Sequence, residues 1–464
     1  MVFSSLVFLL VFLPCVLACY FLSPGIRSKN AVLCLFSLVF YAWGEPVYLF
    51  LMVLMILVNY LLARGMGEQA PKGRRRALLI LALVSNLSVL GFFKYGDFLL
   101  ANLEALLQAA LPRIGLALPL GISFFTFQIM SYMIDVYRGE TPPQKSLLKL
   151  AAYISLFPQL VAGPIVRYQT VAAELDARQH SPALFARGLH RFILGLGKKV
   201  ILANSMALLA DAVFDQAALP GGWVMWLGAV AYMLQIYHDF SGYSDMAIGM
   251  GWMFGFHFRE NFRYPYTASS VSDFWRRWHI SLSTWFRDYV YIPLGGSRRG
   301  LGRTMLNMLL VWLLTGLWHG AGWNFLLWGL YYFLFLAAEK LVGQEKLNAV
   351  PGVLRHMAVL LIALLGWIIF RVEDAGRIGE AFAGLFRFEE SGAAFLLSHH
   401  DALYPLYLLP PACLACLPVS GWLQKKLPEG AASLLGVGFD LLLFFLCVAL
   451  LLGAAYNPFI YFRF

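Results

Sequence analysis

The chemistry of this chain centres on His319, which sits in Thr315-Gly316-Leu317-Trp318-His319-Gly320 within a long apolar stretch. An ionisable side chain at bilayer depth is costly, so those that persist are paired, line a wet cavity or do chemistry. A neutral imidazole in such a place can take a proton from a hydroxyl as a general base. On one continuous helix, Thr315 at i−4 and Trp323 at i+4 would share its face and bring a hydroxyl and an indole beside the ring. A structural histidine bonded to backbone or to a carboxylate is the competing reading.

His279 stands upstream in Asp273-Phe274-Trp275-Arg276-Arg277-Trp278-His279-Ile280-Ser281-Leu282-Ser283. It would assist His319, orient a substrate or cap a helix. The two histidines lack HxxxH-type spacing, and no spacing ties Asp239 or Asp245 to them, so no metal site is expected. Those two aspartates lie in an apolar run and must be paired, hydrogen-bonded or wet. Arg276, Arg277 and Arg287, with Arg298, Arg299 and Arg303, form a dense basic set opposed by Asp273 and Asp288. Asp273 lies three and four residues before Arg276 and Arg277, so one ion pair is expected. The surplus positive charge suits the phosphates of a donor such as coenzyme A. It equally suits a cytoplasmic loop in contact with lipid. Cys413 and Cys416 form a lone CxxC inside an apolar segment and read as packing residues.

The elements that position these residues follow from composition. The 464 residues are 60% hydrophobic and 13% charged, with a net charge of +10. An average soluble domain is about 25% charged, so this is an all-α polytopic membrane protein with no separate soluble domain to bind nucleic acid. Spans are expected over Val2–Leu22, Ala31–Trp43, Val47–Ala63, Ala77–Phe93, Phe192–Phe214 and Trp223–Phe240. More follow from Leu306, near Phe325–Leu341 and Val353–Phe370, and over Leu403–Trp422 and Ala432–Ala455. The first lacks the basic n-region of a cleaved signal and reads as a retained anchor. Asp97–Leu111 reads as interrupted and interfacial, and residues 167–190 as surface helices. Pro119–Gln128 and Phe157–Pro164 read as Pro/Gly breaks, which are tolerated at membrane depth where they line a cavity. Arg64, Lys72, Arg74, Arg75 and Arg76 against Glu68 alone mark a cytoplasmic loop. Counting back three spans puts the N-terminus outside, and Arg27 and Lys29 then also fall inside.

The block from Asp273 to Trp285, with Leu317-Trp318-His319-Gly320 at this interval, resembles the membrane-bound O-acyltransferases, in their bacterial polysaccharide O-acetylation branch. Pro119-Leu120-Gly121-Ile122-Ser123-Phe124, Phe157-Pro158-Gln159-Leu160, Gly163-Pro164 and Asp239-Phe240-Ser241-Gly242-Tyr243-Ser244-Asp245 support the match along most of the chain. The resemblance implies one integral-membrane domain over 1–464, a ring of tilted helices around a central funnel. Its catalytic core would cover about 119–340 and its C-terminal spans and tail about 341–464. It puts the family's near-invariant histidine at His319 and the second histidine position at His279. It further implies an inner-membrane acyltransferase with no permanently bound cofactor. Acetyl-CoA would be the cytoplasmic donor, and the acetyl group would pass to extracytoplasmic acetyltransferase partners that esterify a polysaccharide. Alginate, cellulose, another exopolysaccharide and peptidoglycan all remain open as acceptors.

The tail Phe459-Ile460-Tyr461-Phe462-Arg463-Phe464 resembles the FxYxxF ending of a small partner peptide in the related D-alanylation machinery. That likeness makes Tyr461 a transient acyl carrier. A phenol of pKa about 10 needs a base to attack, and His319 is the candidate. An aromatic anchor at the interface is the plainer alternative for this tail. The relay requires both termini outside, hence an even number of crossings, and about twelve suit this length. A proton- or solute-coupled transporter is the competing class, since intramembrane His and Asp serve it equally well. The chain shows no internal repeat of the kind many such transporters carry. A non-catalytic scaffold would tolerate changes at both histidines.

Overall fold

The computed structural model describes residues 1–388, 395, 397–399, 404–419 and 429–453, so Tyr461 lies outside the described residues. Among the described residues all regular structure is helical. In chain order the helices are α1 (Phe8–Leu22), α2 (Ile26–Gly44), α3 (Tyr48–Gly65), α4 (Lys72–Leu107), α5 (Ile122–Arg138), α6 (Leu147–Ser155) and α7 (Phe157–Leu160). Then come α8 (Tyr168–Asp176), α9 (Pro182–Phe214), α10 (Gly222–Met253), α11 (Val271–Arg277), α12 (Ile280–Phe286), α13 (Gly300–His319) and α14 (Trp323–Val342). The remainder are α15 (Gln344–Ala349), α16 (Gly352–Arg371), α17 (Ala375–Gly384), α18 (Leu409–Leu414) and α19 (Glu429–Gly453). Among the described residues seven segments are long and apolar enough to cross a bilayer: α3, α4, α9, α13, α14, α16 and Leu435–Gly453 of α19. The chain divides into two compact units, Met1–Phe192 with Met246–Arg259, and Ile193–Asp245 with Glu260–Phe464.

In the first unit the basic loop before α4 has a structural use. Arg75 donates from Nη2 to the carbonyls of Val136 and Tyr137 at 3.1 and 2.7 Å, satisfying the open C-terminal end of α5. Between α3 and α4, Asn59 and Asn86 exchange amide hydrogen bonds at 3.1 and 2.8 Å. Such interhelical polar contacts contribute about 0.6–2 kcal/mol in a membrane. The segment Asp97–Leu111, expected to be interrupted, continues the preceding span, because α4 runs unbroken from Lys72 to Leu107. Asp97 instead accepts from the backbone N–H groups of Ile114 and Gly115 at 2.6 and 3.1 Å, so its charge fixes the following loop. The two expected Pro/Gly breaks pack against each other. Gly121, with φ of 71°, starts α5, and a Cβ there would press on the Leu160 carbonyl at the end of α7.

In the second unit α9 passes through a π-helical turn at Lys198–Ala203. Gly242 of α10 lies so close to this helix that a Cβ would fall 2.7 Å from the Gly195 carbonyl. That approach lets Lys199 reach Asp239 at 2.8 Å and Lys198 reach Asp245 at 2.7 Å. The pairing expected for the two aspartates is therefore met by consecutive lysines on the π turn. The span expected over Leu403–Trp422 is not one helix over its described residues. A 3₁₀ turn, Tyr404–Leu408, precedes the six-residue α18, and Pro405, Pro410, Pro411 and Pro418 punctuate the run. Cys413 there is exposed and Cys416 is buried, and both are free thiols.

Candidate active site

His319 is the last residue of α13, and the helix ends there because Gly320 turns to extended backbone (φ −167°, ψ 162°). The next helix begins at Trp323. Trp323 is consequently 55% exposed and does not share a helical face with His319. Thr315 does lie one turn before His319 on the same helix, and its hydroxyl donates to the Val311 carbonyl at 2.7 Å. The rings that do enclose the imidazole are Trp318 at 5.0 Å, Trp328 at 5.1 Å and Phe370 at 5.2 Å, all close to perpendicular. Trp328 comes from α14 and Phe370 from α16. His319 is 7% exposed and Trp328 fully buried.

The α13–α14 hairpin that carries His319 is held by glycine contacts. A Cβ on Gly316 would overlap the Phe325 carbonyl, and one on Gly329 would overlap the Trp312 carbonyl. Small residues at such crossings let two membrane helices approach to backbone contact. Trp275 of α11 packs against Trp312, Trp328 and Tyr332 at 4.8, 5.5 and 4.7 Å, joining the histidine hairpin to the segment that holds His279. Glu339 of α14 makes the same connection through polar contacts. Its carboxylate accepts from the N–H groups of Val271 and Ser272 and from the Ser272 hydroxyl, at 2.5, 2.9 and 2.7 Å. A carboxylate at a helix N-terminus is favoured by the open N–H groups and the helix dipole.

His279 lies between α11 and α12 with a left-handed backbone, φ 44° and ψ 53°. That conformation is rare for a residue with a Cβ and persists only where surroundings enforce it. The enforcing residue is Asn261, which is fully buried. Its carbonyl oxygen accepts the Ile280 N–H at 2.9 Å, and its side-chain Oδ1 accepts the Ser281 N–H and hydroxyl at 3.2 and 2.9 Å. The same Oδ1 stands 3.2 Å from Nδ1 of His279. The imidazole is 1% exposed, with Phe240 at 4.6 Å and Trp318 at 5.6 Å. Burial, and next the charge that a protonated His319 would carry, hold the His279 pKa well below its ordinary value. Trp318 thus touches both imidazoles, and the structure brings together two histidines that lie far apart in sequence.

The arginines occupy a different setting. Arg277 donates to Asp273 and to the Thr267 hydroxyl, each at 3.0 Å, which is the expected i,i+4 pair with an added partner. Arg287 is exposed and pairs with its neighbour Asp288 at 2.7 Å, and Arg276 is exposed as well. Among the described residues no group of three His, Cys, Asp or Glu side chains is placed to hold a metal ion. Asn261, Glu339 and Lys199 are the contributors that residue type alone did not single out. Lys199 carried a signal, a charge within an apolar span that had to find a carboxylate.

Comparison with known proteins fits this geometry. The sequence model of the membrane-bound O-acyltransferase family matches residues 117–345, which include both histidines, α11 to α14 and the basic segment. A probable alginate O-acetylase from Pseudomonas aeruginosa is 43% identical over 393 residues, covering 84% of this chain and 75% of the relative. Another from Pseudomonas putida is 38% identical over 490 aligned positions and covers both chains completely. A peptidoglycan O-acetyltransferase from Helicobacter pylori is 36% identical over 423 positions, covering 83% of this chain and 80% of its own. Similarity of this extent, on a helical frame with several bilayer-length spans, makes this chain a multi-pass acyltransferase of the membrane-bound O-acyltransferase family.

Proposed function

We propose that the protein takes an acetyl group from acetyl-CoA on the cytoplasmic side and passes it across the inner membrane for O-acetylation of a polysaccharide. Partner acetyltransferases outside the membrane would complete the transfer. The relatives' names support the class of acceptor, since they include alginate O-acetylases and a peptidoglycan O-acetyltransferase. The observation that carries the reading is the pair of buried imidazoles sharing the Trp318 ring. Two proton-handling groups in one water-poor aromatic enclosure suit a hydroxyl–thioester exchange.

In this reading the whole chain, 1–464, is one catalytic domain with a core near 119–340. Arg276, Arg277 and Arg287 hold the phosphates of the donor. His319 removes the proton of the acceptor hydroxyl as its oxygen attacks the thioester carbonyl. The C–S bond breaks as the C–O bond forms, and the proton passes from the imidazole to the leaving thiolate. A funnel open to both faces lets donor and acceptor meet without moving the charged coenzyme. Tyr461 is the first acceptor, with both termini outside, and hands the acetyl group to the partner protein.

The experiment is mass spectrometry of the C-terminal peptide after incubating purified protein with isotope-labelled acetyl-CoA. Label on Tyr461 in the native protein, absent in His319→Ala, is the expected result. Free CoA released with no label on Tyr461 would remove the relay but keep the transferase. Thioester left intact in the presence of the partner proteins and acceptor would overturn acetyl-CoA as donor.

A further inference from the structure

The hydrogen bonds around Asn261 settle a question that coordinates ordinarily leave open, namely which nitrogen of a histidine carries its proton. A backbone N–H can only donate, and the Ser281 N–H reaches the Asn261 side chain at 3.2 Å. The atom it meets must be the amide oxygen. The orientation agrees with the other end of the amide, where Nδ2 donates to the Ser244 hydroxyl at 3.1 Å. With the oxygen so placed, the Nδ1 atom of His279, 3.2 Å away, must be the donor. A neutral imidazole has one N–H, so Nε2 carries the lone pair. Nε2 is buried, and it has no hydrogen-bond partner among the described residues. Phe240 and Trp318 pack against the ring at 4.6 and 5.6 Å.

We propose that Asn261 is a positioning residue for the acetyl transfer, holding His279 with its proton on Nδ1 so that the Nε2 lone pair faces the reaction enclosure as an acceptor. The role in transfer rests on the function proposed above, whereas the tautomer does not. A buried acceptor without a protein partner is expensive, and a hydroxyl-bearing substrate would supply the missing donor. Asn261 also accounts for the left-handed backbone of His279. It ties Ile280 and Ser281 on the far side of that residue to itself, which fixes the direction in which the imidazole leaves the chain. Fixing the tautomer matters because the opposite one would direct an N–H at the substrate oxygen in place of an acceptor for its hydroxyl.

The test is ¹⁵N NMR of the full-length protein in lipid nanodiscs, with ¹⁵N-histidine and His279→Gln to assign the signal. The native protein should show His279 protonated at Nδ1 and bare at Nε2. Asn261→Asp keeps an acceptor oxygen and should retain that tautomer. Asn261→Leu should move His279 toward the Nε2-protonated form while the other histidine signals hold their positions, which shows that the variant is folded. With acetyl-CoA as the donor, Asn261→Leu should lose about 10²-fold in kcat with little change in KM, and Asn261→Asp should recover most of it. A native His279 protonated at Nε2 would overturn the assignment. A native-like kcat in an Asn261→Leu protein with the altered tautomer would overturn the positioning role. Loss of all transfer in the native protein, beside the expected tautomer, would count against the proposed reaction and not against the tautomer.

Discussion

His319 and Trp328 meet edge to face, with ring centroids 5.1 Å apart and planes at 80°. Since Trp328 is itself locked against Trp275, Tyr332 and Phe370, the indole sets the plane of the imidazole. Replacing His319 with Ala should remove the base and lower kcat by about 10²–10⁴-fold while the protein still inserts and purifies as native. Trp328→Phe keeps an aromatic wall but loosens it, and should lower kcat by about tenfold with KM for the thioester unchanged. The measurement is CoA release by purified protein supplied with its acceptor. Undiminished release from the His319 variant would remove that residue from the chemistry.

The α13–α14 hairpin gives a second expectation. Gly329 faces the Trp312 carbonyl so closely that any side chain overlaps backbone, which cannot swing aside as a long side chain would. Gly329→Val should cost about 1–3 kcal/mol and lower the thermal unfolding midpoint in detergent, with activity falling as the folded fraction falls. Gly302→Ala on α13, the other helix of the hairpin, is the control, because a Cβ there meets nothing within 4 Å. That variant should unfold at or slightly above the native temperature, since alanine favours helix over glycine. Equal midpoints for the two variants would show that the close crossing does not govern stability.

The helical class, most spans and both histidines were legible because hydropathy and an isolated imidazole in an apolar run are local signals. The aromatic neighbours of His319 were not. Thr315 shares one continuous helix with His319, but Trp323 does not, because Gly320 and Gly322 break the chain between the histidine and the tryptophan. The segment Asp97–Leu111 reads as interrupted because of its polar residues, although a carboxylate within an unbroken helix can serve the next loop, as Asp97 does. Asn261 and Glu339 act through chain segments distant in sequence, and a buried amide or a single carboxylate has no spacing that announces its partner. Residues Asp239 and Asp245 show the intermediate case: the need for partners was clear, and only the fold could name Lys199 and Lys198.

The basic set separates by exposure. Arg276 and Arg287 are exposed, whereas Arg277 is half-buried and engaged by Asp273 and Thr267. If the first two hold donor phosphates, Arg276→Ala and Arg287→Ala should each raise KM for acetyl-CoA with kcat unchanged. Exposed charge contacts contribute about 0.2–1 kcal/mol, so each rise should be no more than about fivefold, and added salt should produce the same trend in the native protein. Arg277→Ala should also lower thermal stability, because it strips Asp273 of its partner. Unchanged KM in all three variants would assign the cluster to membrane contact.

The buried pair of Lys199 and Asp239, 3% and 2% exposed, allows a test of whether charge at this depth serves structure or catalysis. Each ion has lost its water, so removing one deprives the other of its buried counter-charge. Lys199→Met or Asp239→Leu should each destabilise the protein by about 3–5 kcal/mol, read as a large drop in the detergent unfolding midpoint. Replacing both together removes the stranded charge and fills the space with apolar side chains, which restores stability where a pair is structural. The double variant should therefore unfold near the native temperature. Its acetyl-transfer rate then carries the decision. A stable and active double variant makes the pair a packing device beside the π turn, and this is the outcome expected for a paired buried charge. A stable double variant with abolished transfer would place the pair on the proton route. A double variant no more stable than either single one would show that the two charges are not each other's principal support.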